Sequence, residues 1–173
     1  MAMKKALTVA IAMALSPVAL AATQGNLGSN SSGDLDITLD IQELIMVSGL
    51  SDVTLPAFNG GVTDSTGTVN FCVYRNSSVN SAYNIQMDDG VSDADYQLNG
   101  PLASTLSYTV EVNSINVPEG VVTANAAFVA DNTSTNCGGT PNTTLDITVS
   151  NGDMQTAEPG TYTGTLYMTV QPI

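Results

Sequence analysis

The sequence contains no histidine and, after Lys5, no lysine. Mechanisms that pair serine or cysteine with histidine, or serine with lysine, are therefore excluded for the rest of the chain. Zinc, copper and non-haem iron sites normally take histidine or cysteine ligands, and two cysteines are too few to build one. A pair of carboxylates of the glycosidase kind remains, but with 16 acidic residues such a pair can always be nominated. We expect no enzymatic activity and no cofactor.

Positive charge is also scarce. The chain has three basic residues, Lys4, Lys5 and Arg75, and beyond residue 21 Arg75 alone stands against 16 acidic residues, a formal charge of −15. Nucleic acids and anionic membranes are bound through lysine and arginine contacts to phosphate. We therefore expect neither as a partner, and we expect the acidity to keep an exposed protein soluble.

The first 21 residues have the order of a secretory signal peptide. Lys4 and Lys5 precede an apolar stretch over residues 6–15, and Ala19-Leu20-Ala21 is a small-x-small cleavage site. The stretch is too short for an ordinary membrane span, and no later one approaches that length. We expect a secreted protein that begins at Ala22, is not inserted in a membrane, and passes through a periplasm to the cell surface. The short basic start is typical of bacteria.

Two cysteines, Cys72 and Cys137, remain in the secreted part. In an oxidising compartment an isolated pair predicts one disulfide, and no C-x-x-C redox motif is present. Closing the loop between Cys72 and Cys137 stabilises the folded state by about 4 kcal/mol in the chain-entropy model.

Alternation of apolar and polar residues dominates the rest of the chain and predicts β-strands. The clearest case is residues 34–41, where the aliphatic face carries Leu35, Ile37, Leu39 and Ile41. Other predicted strands cover residues 68–74, 83–87, 106–112, 145–149 and 161–170. For residues 43–47, one helical turn competes with a strand, and β-branched residues favour the strand. Frequent Asn-Gly, Asp-Gly and Pro-Gly turns separate these segments.

Together these patterns predict an all-β protein, a single antiparallel Ig-like β-sandwich of about seven to nine strands with one disulfide. We place the sandwich at residues 34–173. Residues 22–33, rich in glycine, asparagine and serine around a single Leu27, are expected to form a flexible arm.

A calcium site is the main alternative to a purely structural surface. Asp88, Asp89, Asp93 and Asp95 cluster in one segment, and oxygen-rich loops bind Ca²⁺. The run from Asp93 begins like an EF-hand loop but has Leu98 where the turn glycine belongs, so a solvated acidic hairpin is the competing interpretation. We also expect four exposed tyrosines that could stack on a sugar, Tyr74, Tyr83, Tyr96 and Tyr167. The competing interpretation is that tyrosines at strand positions belong to the core or to cross-strand pairs. A self-contained extracellular binding module for Ca²⁺ or carbohydrate therefore stays open.

Several motifs resemble one family. Residues 160–170, with the pattern G-x-Y-x-x-x-L-x-x-x-V, are similar to the last strand of chaperone–usher pilins and spore coat U-like proteins. Residues 69–74, which contain Cys72, and residues 83–87 resemble the family's second strand and its following tyrosine-containing strand. Residues 106–110 are similar to its central L-x-Y strand.

This resemblance implies an Ig-like sandwich that lacks one strand and self-associates by accepting a donor strand from the next subunit of a fibre or coat. A periplasmic chaperone and an outer-membrane usher are the further partners it implies. The candidate donor residues are Leu35, Ile37, Leu39 and Ile41. The candidate acceptor edge contains Tyr162, Leu166, Met168 and Val170. Residues 34–41 would equally serve as the domain's own first strand, in which case residues 23–33 are left as a donor with only Leu27.

Overall fold

The computed structural model describes residues 22–91 and 95–173. The predicted signal peptide and Asp93 lie outside these residues. The chain divides into two units, Met1–Ile41 and Gln42–Ile173. No helix in the described part is long and apolar enough to cross a membrane.

Within residues 22–41, one backbone pairing is formed. The N–H of Thr23 donates to the carbonyl of Asp34 at 3.0 Å, and the N–H of Asp34 donates back to Thr23 at 3.1 Å. Residues 35–41 belong to no strand. Their four aliphatic side chains are between 68% and 88% exposed, so the face that the alternation creates is not covered.

The second unit is built from β-strands, ten of them in the described residues. In chain order they are β1 (Ile45–Ser48), β2 (Ser65–Arg75), β3 (Ala82–Asp88), β4 (Gln97–Asn99), β5 (Thr105–Ser107), β6 (Thr109–Val112), β7 (Ile115–Asn116), β8 (Thr123–Val129), β9 (Thr143–Val149) and β10 (Tyr167–Pro172). All the paired strands are antiparallel. One helix, α1 (Asn151–Thr156), and two short 3-10 turns (Pro101–Ala103 and Cys137–Gly139) complete the elements.

The strands form a five-stranded sheet in the order β1-β2-β9-β6-β7 and a three-stranded sheet in the order β10-β3-β8. Both sheets contribute to one core: Phe71 of β2 and Tyr83, Ile85 and Met87 of β3 are fully buried. The hydroxyl groups of Tyr83 and Thr143 lie 3.0 Å apart and join the two sheets inside this core. The predicted all-β sandwich is confirmed.

The predicted disulfide is also confirmed. Cys72 of β2 is bonded to Cys137, with Cα atoms 5.8 Å apart. It attaches the long connection between β8 and β9 to β2, the second strand of the five-stranded sheet. Such a bond fits an oxidising compartment.

Two predicted strands are broken in the structure. The predicted strand at residues 106–112 divides at Tyr108, whose N–H donates to Tyr96 at 3.0 Å. Because β5 pairs with β4 while β6 pairs with β9, the chain changes sheets there. The predicted strand at residues 161–170 starts pairing with β3 only at Tyr167.

For residues 43–47, where a helical turn competed with a strand, the strand is confirmed, because β1 pairs with β2 from Ile45 onward. Helix α1 replaces the turn that Asn151-Gly152 suggested. Its cap is Ser150, whose hydroxyl accepts the N–H of Asp153 at 3.1 Å. A serine followed three residues later by an acidic residue is a helix-start signal that outweighs the Asn-Gly pair here.

Candidate functional site

A long groove opens along one side of the sandwich. One wall is residues 50–55 and the other is residues 161–168. The floor between them contains Val69 and Tyr108 together with Leu145 and Ile147 of β9. The volume between the walls is about 900 Å³, which is enough for several side chains.

The first wall continues the direction of β1 past Gly49 and lies against β2. A Cβ atom added at Gly67 would come within 2.4 Å of Val53 Cγ1 and 2.9 Å of Leu55 Cδ2. Only a glycine at this position of β2 therefore lets the wall pack so closely. The Ser65 hydroxyl donates to the Pro56 carbonyl at 2.8 Å and fixes the far end of the wall.

The second wall leads into the first two residues of β10 and is held by the small β4-β5 sheet. Thr163 and Asn99 exchange two backbone hydrogen bonds of 2.9 and 2.8 Å. The Tyr162 hydroxyl donates to the Glu158 carbonyl at 2.9 Å and lies 3.1 Å from the Ser104 hydroxyl. The Tyr162 ring occupies the place of a side chain at Gly100, where a Cβ would lie 2.2 Å from the ring.

The groove continues past Tyr162. A second part of about 660 Å³ shares Leu55, Leu98 and Tyr162 with the first. Its lining includes Phe58 and, from helix α1, Met154. The two parts therefore form one apolar channel between the edges of the two sheets.

The groove surface is an uncovered part of the hydrophobic core. Nine half-buried side chains that pack against the core also line the groove: Val53, Leu55, Leu98, Ile147, Met154, Ala157, Tyr162, Leu166 and Met168. Strand β10 is the last strand of its sheet: β3 pairs with it on one side, and no strand of the described residues is hydrogen-bonded to its other side. The groove therefore offers an apolar floor beside an open strand edge.

Three of the four candidate acceptor residues, Tyr162, Leu166 and Met168, line this groove. Val170 lies further along β10 and packs against the core. Sequence reasoning missed the opposite wall. Its only signal is the short alternation of Val53 and Leu55, which ends at Pro56.

The other end of the sandwich is closed by Arg75, which is 3% exposed. Its guanidinium pairs with Glu43 Oε1, with Nε donating at 2.8 Å and Nη2 at 2.5 Å. It also donates to the Ala82 carbonyl and, at 2.8 Å, to the Ile173 carbonyl. One side chain thereby ties the start of β3 and the end of β10 to the segment that precedes β1.

Asn76 holds the same segment. Its Oδ1 accepts the N–H of Leu44 at 2.7 Å, and its Nδ2 donates to the Gln42 carbonyl at 2.8 Å. The backbone N–H of Asn76 adds a bond to the Leu44 carbonyl at 3.1 Å. Residues 42–44 are therefore fixed beside the end of β2, in line with β1.

The acidic segment is arranged differently from the calcium loop considered above. Asp88 and Asp89 gather with Glu119, one oxygen atom of each lying within 4.8 Å of the others. Glu119 was not identified from the sequence because it lies 30 residues away from Asp89. Asp95 is not part of this group, and Asp93 lies outside the described residues.

The Asp89 carboxylate stabilises the loop that follows it by accepting backbone hydrogen bonds. Burial acts to raise its pKa, but N–H donors from Gln97 and Val91 and a bond with Glu119 outweigh it, so the pKa of Asp89 is lowered. The distances from the two N–H groups are 2.9 Å each. These bonds give the carboxylate a structural role in the turn.

The aromatic surface expected of a sugar site is not assembled. Tyr83 and Tyr96 are buried, which corrects the prediction that they are exposed, while Tyr74 is half-buried and Tyr167 is exposed. The Tyr96 ring stacks on Tyr108 with centroids 5.2 Å apart, and its hydroxyl donates to the Val117 carbonyl at 3.0 Å. Burial, with nearby carboxylates adding to it, raises the pKa of Tyr96 and raises that of Tyr108 to about 12.

No family model and no curated protein matches this chain. Among solved structures, it is similar to a protein of a chaperone–tip adhesin complex that is described as vital for synergistic activation of CFA/I fimbriae biogenesis. The identity is 23% and the TM-score is 0.45. The match covers 75% of this chain and 41% of the other, so this chain spans less than half of that protein.

Proposed function

We propose that the protein is a secreted structural subunit of a bacterial surface fibre or coat, which assembles by β-strand donation and performs no chemical step. Residues 35–41 of one subunit fill the groove of the next. The single observation that carries this proposal is that one chain contains both an uncovered apolar groove beside a strand edge and an exposed segment of alternating aliphatic residues.

The two parts are complementary in pattern. In an extended segment, alternate side chains lie on one face about 6.6 Å apart, so the four aliphatic residues present a row about 20 Å long. The polar face of the same segment carries Asp36, Thr38 and Asp40, which would point to solvent. A segment of this kind adds a strand to a sheet edge through its backbone and fills pockets with alternate side chains.

The energy available is substantial. Burying an aliphatic side chain contributes roughly 1.5–3 kcal/mol, so four of them contribute roughly 6–12 kcal/mol before the cost of ordering the segment. Covering the open edge of β10 adds backbone hydrogen bonds and removes an aggregation-prone edge.

Chaperone and usher partners belong to the same proposal. Before assembly, both the groove and residues 35–41 expose apolar surface, and such surface invites non-specific association. A periplasmic chaperone that covers the groove would prevent this, and an outer-membrane usher would organise the exchange of chaperone for donor segment. Self-association is the step that the chain's own residues support.

The test changes the aliphatic face of the segment and leaves its length unchanged. We expect Ile37→Asp with Leu39→Asp to abolish assembled material in electron micrographs and in size-exclusion chromatography, with secretion and the disulfide unaffected. Thr38→Asp, on the polar face, is the matched control and should assemble. Assembly of the double variant at the wild-type level would contradict the proposal.

The competing hypothesis of a self-contained binding module predicts the opposite behaviour. A complete sandwich would be monomeric at every concentration, and the same double substitution would leave its size and melting temperature unchanged. Calorimetric titration with Ca²⁺ then distinguishes a metal-binding module, for which heat is released or absorbed, from a module that does not bind the ion and gives no heat.

A further inference from the structure

Two methionines line the groove, one in each of its two parts. Met168 of β10 lines the first part, and Met154 of helix α1 lines the second. Both side chains are half-buried and pack against the core. Each part of the groove therefore presents one thioether side chain to a small molecule that enters it.

The other two methionines of residues 22–173 have different environments. Met87 of β3 pairs directly with Met168 of β10, yet its side chain is fully buried. Met46 of β1 is 43% exposed and is not among the residues that line the groove. The chain therefore contains one buried and one exposed methionine with which the two groove methionines can be compared.

The composition of the chain directs oxidation to methionine. The sequence contains no tryptophan and no histidine, and Cys72 and Cys137 are joined in a disulfide. Within residues 22–173, the methionine thioethers are thus the side chains left for a hydroperoxide, such as hydrogen peroxide, to oxidise. The sulfur lone pair attacks one peroxide oxygen, an S–O bond forms as the O–O bond breaks, and the second oxygen leaves as water. The sulfur loses two electrons and the peroxide gains them.

A sulfoxide changes a filled groove more than it changes the monomer. Oxidation turns a flexible apolar side chain into a polar one that carries a hydrogen-bond acceptor. In an unfilled groove water can hydrate this oxygen, since both side chains are only half-buried. A strand that fills the groove covers the oxygen beside apolar residues, which in the first part include Leu145 and Ile147. Burying an acceptor without a donor weakens binding by about tenfold or more.

We propose that Met154 and Met168 are modification sites at which a hydroperoxide inactivates an unfilled groove. Their sulfoxides stop the groove from accepting residues 35–41 of a second copy of the chain. A filled groove in turn shields both sulfur atoms from the oxidant. This inference rests on the proposed function, because it concerns the acceptor groove assigned there.

Peptide mass spectrometry after treatment with hydrogen peroxide measures this shielding. In secreted protein kept too dilute to assemble, we expect Met46 to be oxidised fastest and Met87 slowest, in line with their exposure. Met154 and Met168 should react at intermediate rates. In assembled protein we expect these two to react at least several-fold more slowly, while the rate at Met46 does not change.

Light scattering at equal protein concentration measures the effect of oxidation on assembly. We expect wild type oxidised at Met154 and Met168 to form less assembled material than untreated protein, by about tenfold or more. Met154→Leu with Met168→Leu replaces both thioethers with aliphatic side chains of similar size and should assemble with or without peroxide. Met46→Leu is the matched control, because it removes an exposed thioether outside the groove. It should lose assembly on oxidation as wild type does.

A polar variant tests the same step without an oxidant. Met154→Gln with Met168→Gln places a polar group of similar size in each part of the groove and should assemble poorly, while Met46→Gln should assemble normally. The melting temperature at a concentration too low for assembly shows whether each variant is folded. Normal assembly of the folded double glutamine variant would contradict the inference. If that variant does not fold, the comparison of oxidised wild type with the double leucine variant decides.

Failure of the inference is distinguishable from failure of the proposed function. Oxidised wild type that carries both sulfoxides and still assembles like untreated protein would overturn the inference and leave strand donation intact. Loss of assembly on oxidation of the double leucine variant would also overturn it, since the effect would then lie at another residue. Untreated wild type that does not assemble, or that assembles without shielding Met154 and Met168, would overturn the proposed function and the inference together.

Discussion

Residues 35–41 and strand β2 have the same alternation of aliphatic and polar side chains, but opposite environments. In β2, Phe71 and Val73 are fully buried and Val69 nearly so, whereas Ile37 and Leu39 are about as exposed as in an extended chain. The alternation therefore shows that one face needs to be covered, and it does not show what covers it. In β2 the cover is the other sheet, and for residues 35–41 we infer a second copy of the chain.

The largest expected effect is the contrast between Phe71→Ala and Ile37→Ala. Loss of the buried Phe71 ring leaves a cavity and should lower the free energy of unfolding of the monomer by about 3–5 kcal/mol. Ile37→Ala should leave monomer stability unchanged, because its side chain is exposed, and should weaken assembly instead. Denaturant unfolding at a concentration too low for assembly measures both values. A comparable loss of monomer stability in both variants would show that residues 35–41 belong to the monomer's core.

A second prediction concerns the groove wall. Gly100→Ala places a Cβ atom where the Tyr162 ring lies, so the ring must move away from its hydrogen bonds to Glu158 and Ser104. We expect a loss of about 1–3 kcal/mol in unfolding free energy and a loss of assembly. Gly61→Ala is the control, since a Cβ there meets no atom within 4 Å. If Gly100→Ala assembles as well as Gly61→Ala, the Tyr162 wall is not part of the acceptor.

The groove was only partly predictable from the sequence. Residues 160–170 identified Tyr162, Leu166 and Met168, because the pattern of that segment is long and regular. The opposite wall at residues 50–55 was missed, since it packs on Gly67 without pairing as a strand and its alternation stops at Pro56. Packing against a glycine of another strand leaves no local signal.

The core was more predictable than the groove, because its strands carry a regular alternation of apolar and polar residues. Strands β2, β3 and β9 each contain at least five residues in which apolar and polar side chains alternate, which is enough to predict both the strand and its buried face. The change of sheet at Tyr108 left no such signal, because it depends on a backbone bond to Tyr96. Glu119 joins Asp88 and Asp89 only through the fold, and spacing in the sequence does not show it.

A third prediction uses Tyr108, which lies in the groove floor, and Tyr96, whose ring stacks on it. The pKa of Tyr108 is raised to about 12 and that of Tyr96 is raised as well, so the folded state favours their neutral forms. Their stabilising contribution is therefore complete below about pH 10, the value for an unfolded tyrosine, and is lost as the pH rises towards 12. The free energy of unfolding, measured between about pH 9 and about pH 12, should show this loss.

Tyr108→Phe removes one of the three buried tyrosines whose pKa is raised (Tyr83, Tyr96 and Tyr108) and should reduce the slope of stability against pH in that range. Tyr167→Phe, which changes an exposed hydroxyl, is the matched control and should keep the wild-type slope. An unchanged slope in Tyr108→Phe would contradict the assignment of the alkaline transition to the groove floor.

The smallest expected effect concerns the polar face of residues 35–41. Residues 22–173 have a formal charge of −15, so strand donation would bring Asp36 and Asp40 towards an acidic neighbour. Screening acts over about 10 Å at 0.1 M salt, so assembly should be faster at higher ionic strength. Asp36→Asn with Asp40→Asn should speed assembly a few-fold at low salt and change little at high salt. Scattering kinetics at two salt concentrations measure this, and equal rates at both would contradict it.

The most direct test of the central claim is crosslinking between two different chains. One chain carries Leu166→Cys in the groove wall, and the other carries a single cysteine at successive positions from 35 to 41. Treatment of the mixture with a short thiol crosslinker should link the chains most at the aliphatic positions and least at Asp36, Thr38 and Asp40. This period-two pattern is what strand donation requires. Uniform linking along the segment, or none between chains, would contradict it.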